Sequence, residues 1–381
     1  MNPLKNLARR RLFVVALVVS SMALASVGVA EAAPTSRAGT HVTPPSGLSI
    51  AKKQLAPYNG RFPAFPITQR LKKKPAASDD IVYLACGASQ CATFGTLLGE
   101  AAKALGVKFT TINAGLFPSQ AQAAAGAALA LKPSAVIVAG LALSSYGHTL
   151  KPIEKLHIPI IGIGTDDGEK YGLTADLGNQ VTVALAGALM ADWVAINQGA
   201  TANVAFFGTP ELDFSPVMWS GFSSQIKKVC KSCQVALTQM TVLDFGTSAA
   251  SALVVAYLRA HPSVNTVVFA AAPGSDGLAP ALAEAGLSSV TVFGWNPDNT
   301  GLASIKAGQI AGGIGLDTLT SCWQAIDIIA KLLTHQSFPA SETNAVLEVL
   351  NKNDVTSQDV SSVEGWSAYH NAQALTEALW P

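Results

Sequence analysis

From Ile81 to about Leu350 the chain repeats one pattern. A short run apolar at nearly every position is followed by a longer stretch in which apolar residues return every three or four positions. The first kind reads as a strand covered on both faces, the second as an amphipathic helix. Strand-like runs are IVYLA from Ile81, VKFTTIN from Val107, SAVIVAG from Ser134, IPIIGIG from Ile158, NVAFFGT from Asn203, QVALTQMTV from Gln234, VNTVVFAAA from Val264, VTVFGW from Val290 and QIAGGIGL from Gln309. Between them the period predicts helices over 93–105, 119–131, 179–197, 216–228, 247–260 and 318–334. This alternation is that of an α/β protein with parallel sheets.

Local signals agree. Ser119 and Asp276 stand where helix N-caps are wanted, and Gly106 and Gly286 where helices end. A pause at GLTADLGN, 172–179, divides the strands into two successive groups, which predicts two sheets and a crossing between lobes there.

Ahead of this body the pattern changes. Lys5 and Arg9, Arg10, Arg11 precede an apolar run from Leu12 to Leu24, with small residues at Ala30, Ala32 and Ala33. Such an order predicts an export signal over residues 1–32, either cleaved or retained as an anchor, and no cysteine lies there to carry a lipid. Residues 33–78, rich in Pro, Ser and Lys, are expected to form an extended linker arm.

Composition narrows the class. Of 381 residues 49% are apolar and 13% charged, with a formal net charge of +1, so nothing favours nucleic acid as a partner. If the chain is exported, its cysteines become readable: Cys86 with Cys91 and Cys230 with Cys233 have spacings that favour local disulfides pinning loops. Zinc would need the two pairs to converge, and a redox motif normally opens a helix, whereas Cys230 closes one. Cys322 is left over, for burial in a helix.

In open parallel sheets ligands bind outside the carboxyl ends of the strands, so those ends are read together. They carry Asp166, Asp167, Asp213, Asp276, Asp317, Asn296 and the aromatics Phe94, Tyr146, Phe214, Trp219 and Trp295, with no Lys or Arg. A buried anion needs cations or a nest of amides, so an uncharged or cationic ligand is expected. Glycines at 162, 164 and 168 miss the dinucleotide spacing, and acids stand where phosphate would need donors. No GxSxG, HExxH or Walker sequence occurs, and His148, His157, His261 and His335 fall in predicted helices or at their ends, so neither catalysis nor a metal or other cofactor is expected.

Taken together, LGEAAKALGVKF, IPIIGIGTDD, DLGNQ, the Gly221-Phe222 pair, AYLRAHPSVNTVVFA, APALAEAGL, VTVFGWN and LASIKAGQIAGGIGLD resemble, in order and spacing, the type I periplasmic binding proteins, the sugar-type receptors of ABC importers. The resemblance implies two Rossmann-like lobes joined by a three-strand hinge, with crossings near Ala175, Leu316 and Ala345. Lobe 1 would comprise 79–176 and 316–345, and lobe 2 would comprise 177–315 and 346–381. It implies a small neutral ligand in the cleft, an ABC permease as membrane partner, and a periplasmic or cell-envelope location. The expected ligand-binding residues are Phe94, Asp166, Asp167, Phe214, Trp219, Asp276, Trp295, Asn296 and Asp317, with the indoles stacking on a sugar, polyol or small aromatic. The chain departs from the family pattern where Gly294-Trp295-Asn296 replaces Gly-Phe-Asp and Ala271-Ala272-Pro273 replaces an Asn-Asp pair, which makes the cleft less polar than a hexose site. A receptor for a membrane sensor and a secreted α/β enzyme are the alternatives.

Overall fold

The computed structural model describes residues 46–60, 63–165 and 168–381; the expected signal segment, Asp166 and Asp167 lie outside them. In chain order the described elements are α1 (Gly47–Leu55), β1 (Asp80–Cys86), α2 (Ser89–Leu105), β2 (Lys108–Gly115), α3 (Pro118–Ala130), β3 (Ala135–Ala139), α4 (Lys151–Lys155), β4 (Ile160–Ile163) and β5 (Ala175–Leu177). They continue with α5 (Gln180–Asn197), β6 (Asn203–Gly208), α6 (Phe214–Val229), β7 (Gln234–Gln239), α7 (Ser248–Ala260), β8 (Thr266–Phe269), α8 (Leu278–Glu284), β9 (Thr291–Trp295) and α9 (Asn299–Lys306). The last are β10 (Gly312–Leu316), α10 (Thr318–Leu333), β11 (Leu347–Leu350), α11 (Ser357–Ser361) and α12 (Ala372–Glu377).

The strands form two sheets, β2-β1-β3-β4-β5 and β11-β10-β9-β8-β6-β7. All pairs are parallel except β10 with β11. Covered strands such as β3 and β8 are buried at every residue, which is why they read as unbroken apolar runs. Period-2 alternation sorts each strand's side chains between faces: Val204 and Phe206 of β6 meet α5 and α6, while Ala205 and Phe207 join the core under α7 and α8. The helices α5 and α6 approach closely because Gly187 and Gly221 lack a Cβ. A methyl at either would strike the main-chain carbonyl of Met218 or Ala184.

Several local expectations shift. Pro118 occupies the first turn of α3, so that helix starts before Ser119 and Phe117 stands at its N-cap. Gly277 takes the N-cap position of α8, leaving Asp276 outside the helix. The arm expected to be extended contains α1, capped by Ser46, and α1 buries Ala51 and Leu55 against α5 and α6. Two short strands were not expected: β5 falls within the pause at 172–179, and β11 follows the crossing at 340–346.

Connections between the lobes exceed the three expected. Besides β5 to α5, β10 to α10 and 340–346, the arm passes from α1 in the second lobe to Leu71 in the first. The C-terminal segment returns from Trp366 in the second lobe to Ala372 and Trp380 in the first, so residues expected in lobe 2 end in lobe 1.

Buried polar groups tie these passages together. Lys331 Nζ lies 2.6 Å from Asp327 Oδ2 and 2.6 Å from Glu342 Oε2, all fully or almost fully buried. Glu342 Oε1 accepts from the N–H groups of Thr68 and Gln69, both at 2.8 Å, and Asp327 Oδ1 accepts from Trp380 Nε1 at 2.9 Å. Burial works against ionisation of Glu342, but hydrogen bonds from Lys331, Gln69 and Thr68 outweigh it and hold the carboxyl below its ordinary range. Asp327 is pushed up by burial, which the shared ammonium only partly offsets.

Two predictions follow from this packing. Lys331→Met strands two buried carboxylates and should lower the unfolding free energy in urea by about 3–5 kcal/mol; a loss under about 1 kcal/mol would contradict the clamp. Asp192, buried on α5, accepts from Gln225 Nε2 at 2.7 Å, yet burial pushes its carboxyl up to about 7. Between about pH 4 and the folded value the native chain keeps a proton the unfolded chain has released, so stability falls as pH rises through that window. Asp192→Asn should make that decline shallower and gain roughly 1–3 kcal/mol at pH 8, where an unaltered slope would count against the assignment.

Candidate functional site

The carboxyl ends of the two sheets face one another across a cavity. It offers about 100 Å³ to the centres of water-sized spheres. From the first lobe come Ala88 of the β1–α2 loop, Ser89, Gln90 and Phe94 on α2, Gly140 after β3, and Ile163 and Gly164 at the end of β4. The second lobe contributes Leu212 and Phe214 after β6, Phe245 after β7, Ala271 and Pro273 after β8, and Trp295 and Asn296 at the end of β9. The crossings supply Leu177, Leu316 and Ala345, and the two helices that follow them supply Thr182, Val183 and Ser321. No Asp, Glu, Lys, Arg or His is among the described residues that line it.

The lobes meet at the rim. Leu141 bridges Leu212, and Leu143 N–H donates to Asp213 Oδ2 at 3.3 Å. Ala88 and Leu116 from one side pack with Leu212, Phe214, Val242, Phe245 and Ala271 from the other. These contacts leave the cavity partly enclosed by low-dielectric surroundings, where an unpaired charge would be costly.

Both expected disulfides form, Cys86–Cys91 and Cys230–Cys233, and Cys322 is free and buried. The first is part of the cavity wall. It ties the end of β1 to the first turn of α2, which carries Ser89 and Gln90, and its sulfurs pack under Gly140, where a Cβ would stand 3.0 Å from Cys91 Sγ and 3.1 Å from Cys86 Sγ.

Asn296 has a backbone φ of 50°, in the left-handed region that Asn tolerates better than other side chains bearing a Cβ. Its N–H donates to Ile314 O at 2.7 Å, and its Oδ1 accepts from Leu316 N–H at 3.3 Å. Because only the oxygen can accept, the orientation of the amide is decided, and Nδ2 has no partner among the described residues. Ser321 Oγ donates to Asp317 O at 2.8 Å, leaving that hydroxyl free to accept.

Of the residues expected at the site, Phe94, Phe214, Trp295 and Asn296 line the cavity. Trp219 does not: it packs inside the second lobe, with ring centroids 5.2 Å from Phe206 and 6.3 Å from Phe222. Asp317 is fully buried at the N-cap of α10, where it accepts from Thr320 N–H at 2.9 Å, Ser367 Oγ at 2.9 Å and Ala368 N–H at 3.0 Å. Burial pushes its carboxyl up against those hydrogen bonds. Asp276 lies in a separate groove beside Ser251 and Arg259; burial and then the repulsion of Asp298 raise it to about 7. Asp166 and Asp167 lie outside the described residues. Ser89, Gln90, Thr182, Leu212, Phe245, Ala271, Leu316, Ser321 and Ala345 were not expected. Their only signal was position at a strand end or crossing, since small and apolar residues there resemble ordinary core.

The family profile described as periplasmic binding protein domain matches residues 88–337. The chain belongs to that family. Among solved structures, a glucose-galactose binding protein from Geobacillus stearothermophilus is similar with 18% identity and a TM-score of 0.63, covering 73% of this chain and 99% of that one. A solute-binding protein of an ABC transporter from Agrobacterium vitis, with bound allitol, aligns at 19% identity and TM-score 0.64 over 74% of this chain and 98% of its own. One from Actinobacillus succinogenes with bound D-allose aligns at 21% and 0.63, over 73% and 99%. At these identities the likeness shows the periplasmic binding protein fold. No curated protein sequence matches the chain.

Because Cys86–Cys91 walls the cavity and Cys230–Cys233 does not, their removal should differ in effect. Replacing Cys86 and Cys91 together by Ser is expected to cost about 2 kcal/mol in urea unfolding, from the released loop entropy, and to weaken any cavity ligand several-fold. The Cys230→Ser, Cys233→Ser pair should cost similar stability while leaving binding unchanged; equal losses of affinity would contradict the placement.

Proposed function

We propose that the chain is an exported, non-enzymatic solute receptor that holds one small uncharged molecule between its lobes and presents it to an ABC permease. The observation that carries this reading is the cavity: it is walled by the strand ends of both lobes and by the crossings, and no charged side chain is among its described lining residues. Contacts from both lobes favour the closed arrangement only when a ligand is present, which is how such a molecule reports occupancy to a membrane partner. Export is supported by the basic, apolar and small-residue order of the first 33 residues and by two disulfides. The match to the periplasmic binding protein family supports binding without chemistry. The structural neighbours bound to allitol and D-allose support a small uncharged solute as the cargo class.

The test combines closure with turnover. A compound that raises the melting temperature should also reduce the radius of gyration in X-ray scattering, and should be recovered chemically unchanged after hours with stoichiometric protein. Conversion of the compound would replace the receptor reading with an enzymatic one.

A further inference from the structure

The wall chemistry narrows the cargo beyond an uncharged solute. We infer that the cavity takes a compact, mainly apolar molecule, an aromatic or alicyclic ring bearing one hydrogen-bond acceptor such as a ketone, and not a sugar or polyol. The inference rests on the receptor reading above and concerns the same site.

Three observations carry it. First, apolar side chains reach the cavity from every direction: Phe94 from the first lobe, Phe214, Phe245 and Trp295 from the second, and Leu177 and Leu316 from the crossings. Second, the polar side chains are few, and part of their capacity is already used inside the protein: the Asn296 oxygen by Leu316 N–H and the Ser321 proton by Asp317 O. A polyol buried here would bring a hydroxyl on nearly every carbon, each needing both a donor and an acceptor, and a buried hydroxyl without partners is strongly disfavoured. Aspartate and arginine side chains, which could each satisfy several hydroxyls, are missing from the described wall. Of the aspartates expected at the site, the two in the described structure are engaged elsewhere, Asp317 in capping α10 and Asp276 in another groove.

Third, the Asn296 amide is held in one orientation. With its oxygen committed to Leu316, the group it offers a ligand is the Nδ2 donor, which selects an acceptor on an otherwise apolar molecule. The site also lacks a cation among its described lining residues, so a carboxylate on the same ring should be rejected.

The experiment measures binding of acetophenone, ethylbenzene, benzoate, D-allose and allitol to the purified full chain by titration calorimetry, together with thermal shift. Acetophenone should bind one per chain with a micromolar Kd, ethylbenzene about tenfold more weakly for want of the acceptor, and the other three not detectably. Asn296→Gly, which keeps the left-handed backbone accessible, should abolish the tenfold preference while leaving ethylbenzene unchanged. Phe214→Ser should weaken both rings, so a poorly folded Asn296 variant does not end the test. D-allose or allitol binding more tightly than acetophenone would overturn the ligand class and leave the receptor standing. Failure of both rings to bind would also overturn the class, and the receptor reading would then stand or fall separately by whether any compound closes the lobes in scattering.

Discussion

One buried ammonium fixes how the chain passes between its lobes. Lys331 Nζ reaches Asp327 on its own helix and Glu342 on a crossing, and the remaining acceptor positions of those two acids are filled by the arm at Thr68 and Gln69 and by Trp380 at the C-terminus. Relative to apolar packing such a cluster contributes little net stability. What it supplies is direction, because the two acids that share the ammonium also accept from the arm and from the C-terminal Trp380, which ties four segments to one place. Asp317 repeats the device at the far end of α10, joining that crossing to the returning C-terminal segment through Ser367 and Ala368.

With the crossings held, the strand ends of two sheets are brought to face one another at a set separation. Local backbone devices then aim individual groups: a disulfide closes the β1–α2 loop, and a left-handed Asn296 turns its amide across the end of β10. The described wall of the cavity carries no charged side chain because it is built from the same apolar side chains that continue into the cores. The acids near it are spent on caps and rim contacts, Asp317 on α10 and Asp213 on Leu143 N–H.

Much of this was legible in the chain. Apolar runs at nine places became strands, and six predicted helices appeared within a few residues of their expected ends, because both depend on short-range periodicity. Strands β5 and β11 were missed for the same reason: the short β5 (ADL) and β11 (LEVL) each carry an acid and lack the unbroken apolar run that marks β4 and β8. The helix α1 was hidden inside a segment whose Pro and Lys content reads as linker, and its helicity depends on the face that Ala51 and Leu55 bury against α5 and α6. At the site, aromatic residues at strand ends were visible, but nothing local separates Trp295, which lines the cavity, from Trp219, which packs against Phe206 and Phe222.

The sequence by itself determined the α/β class, the two groups of strands, the pairing of neighbouring cysteines and the lack of Lys and Arg at the strand ends. Each of these follows from composition or from contacts within about twenty residues. Only the tertiary structure decided which aspartates are caps, which indole meets the cavity, and where the arm and C-terminal segment dock. Those outcomes depend on pairs such as Asp317 with Ser367 and Glu342 with Thr68, far apart along the chain. Whether a polar side chain meets a ligand or closes a buried hydrogen bond is settled by its partners across the fold, which its neighbours in sequence do not specify.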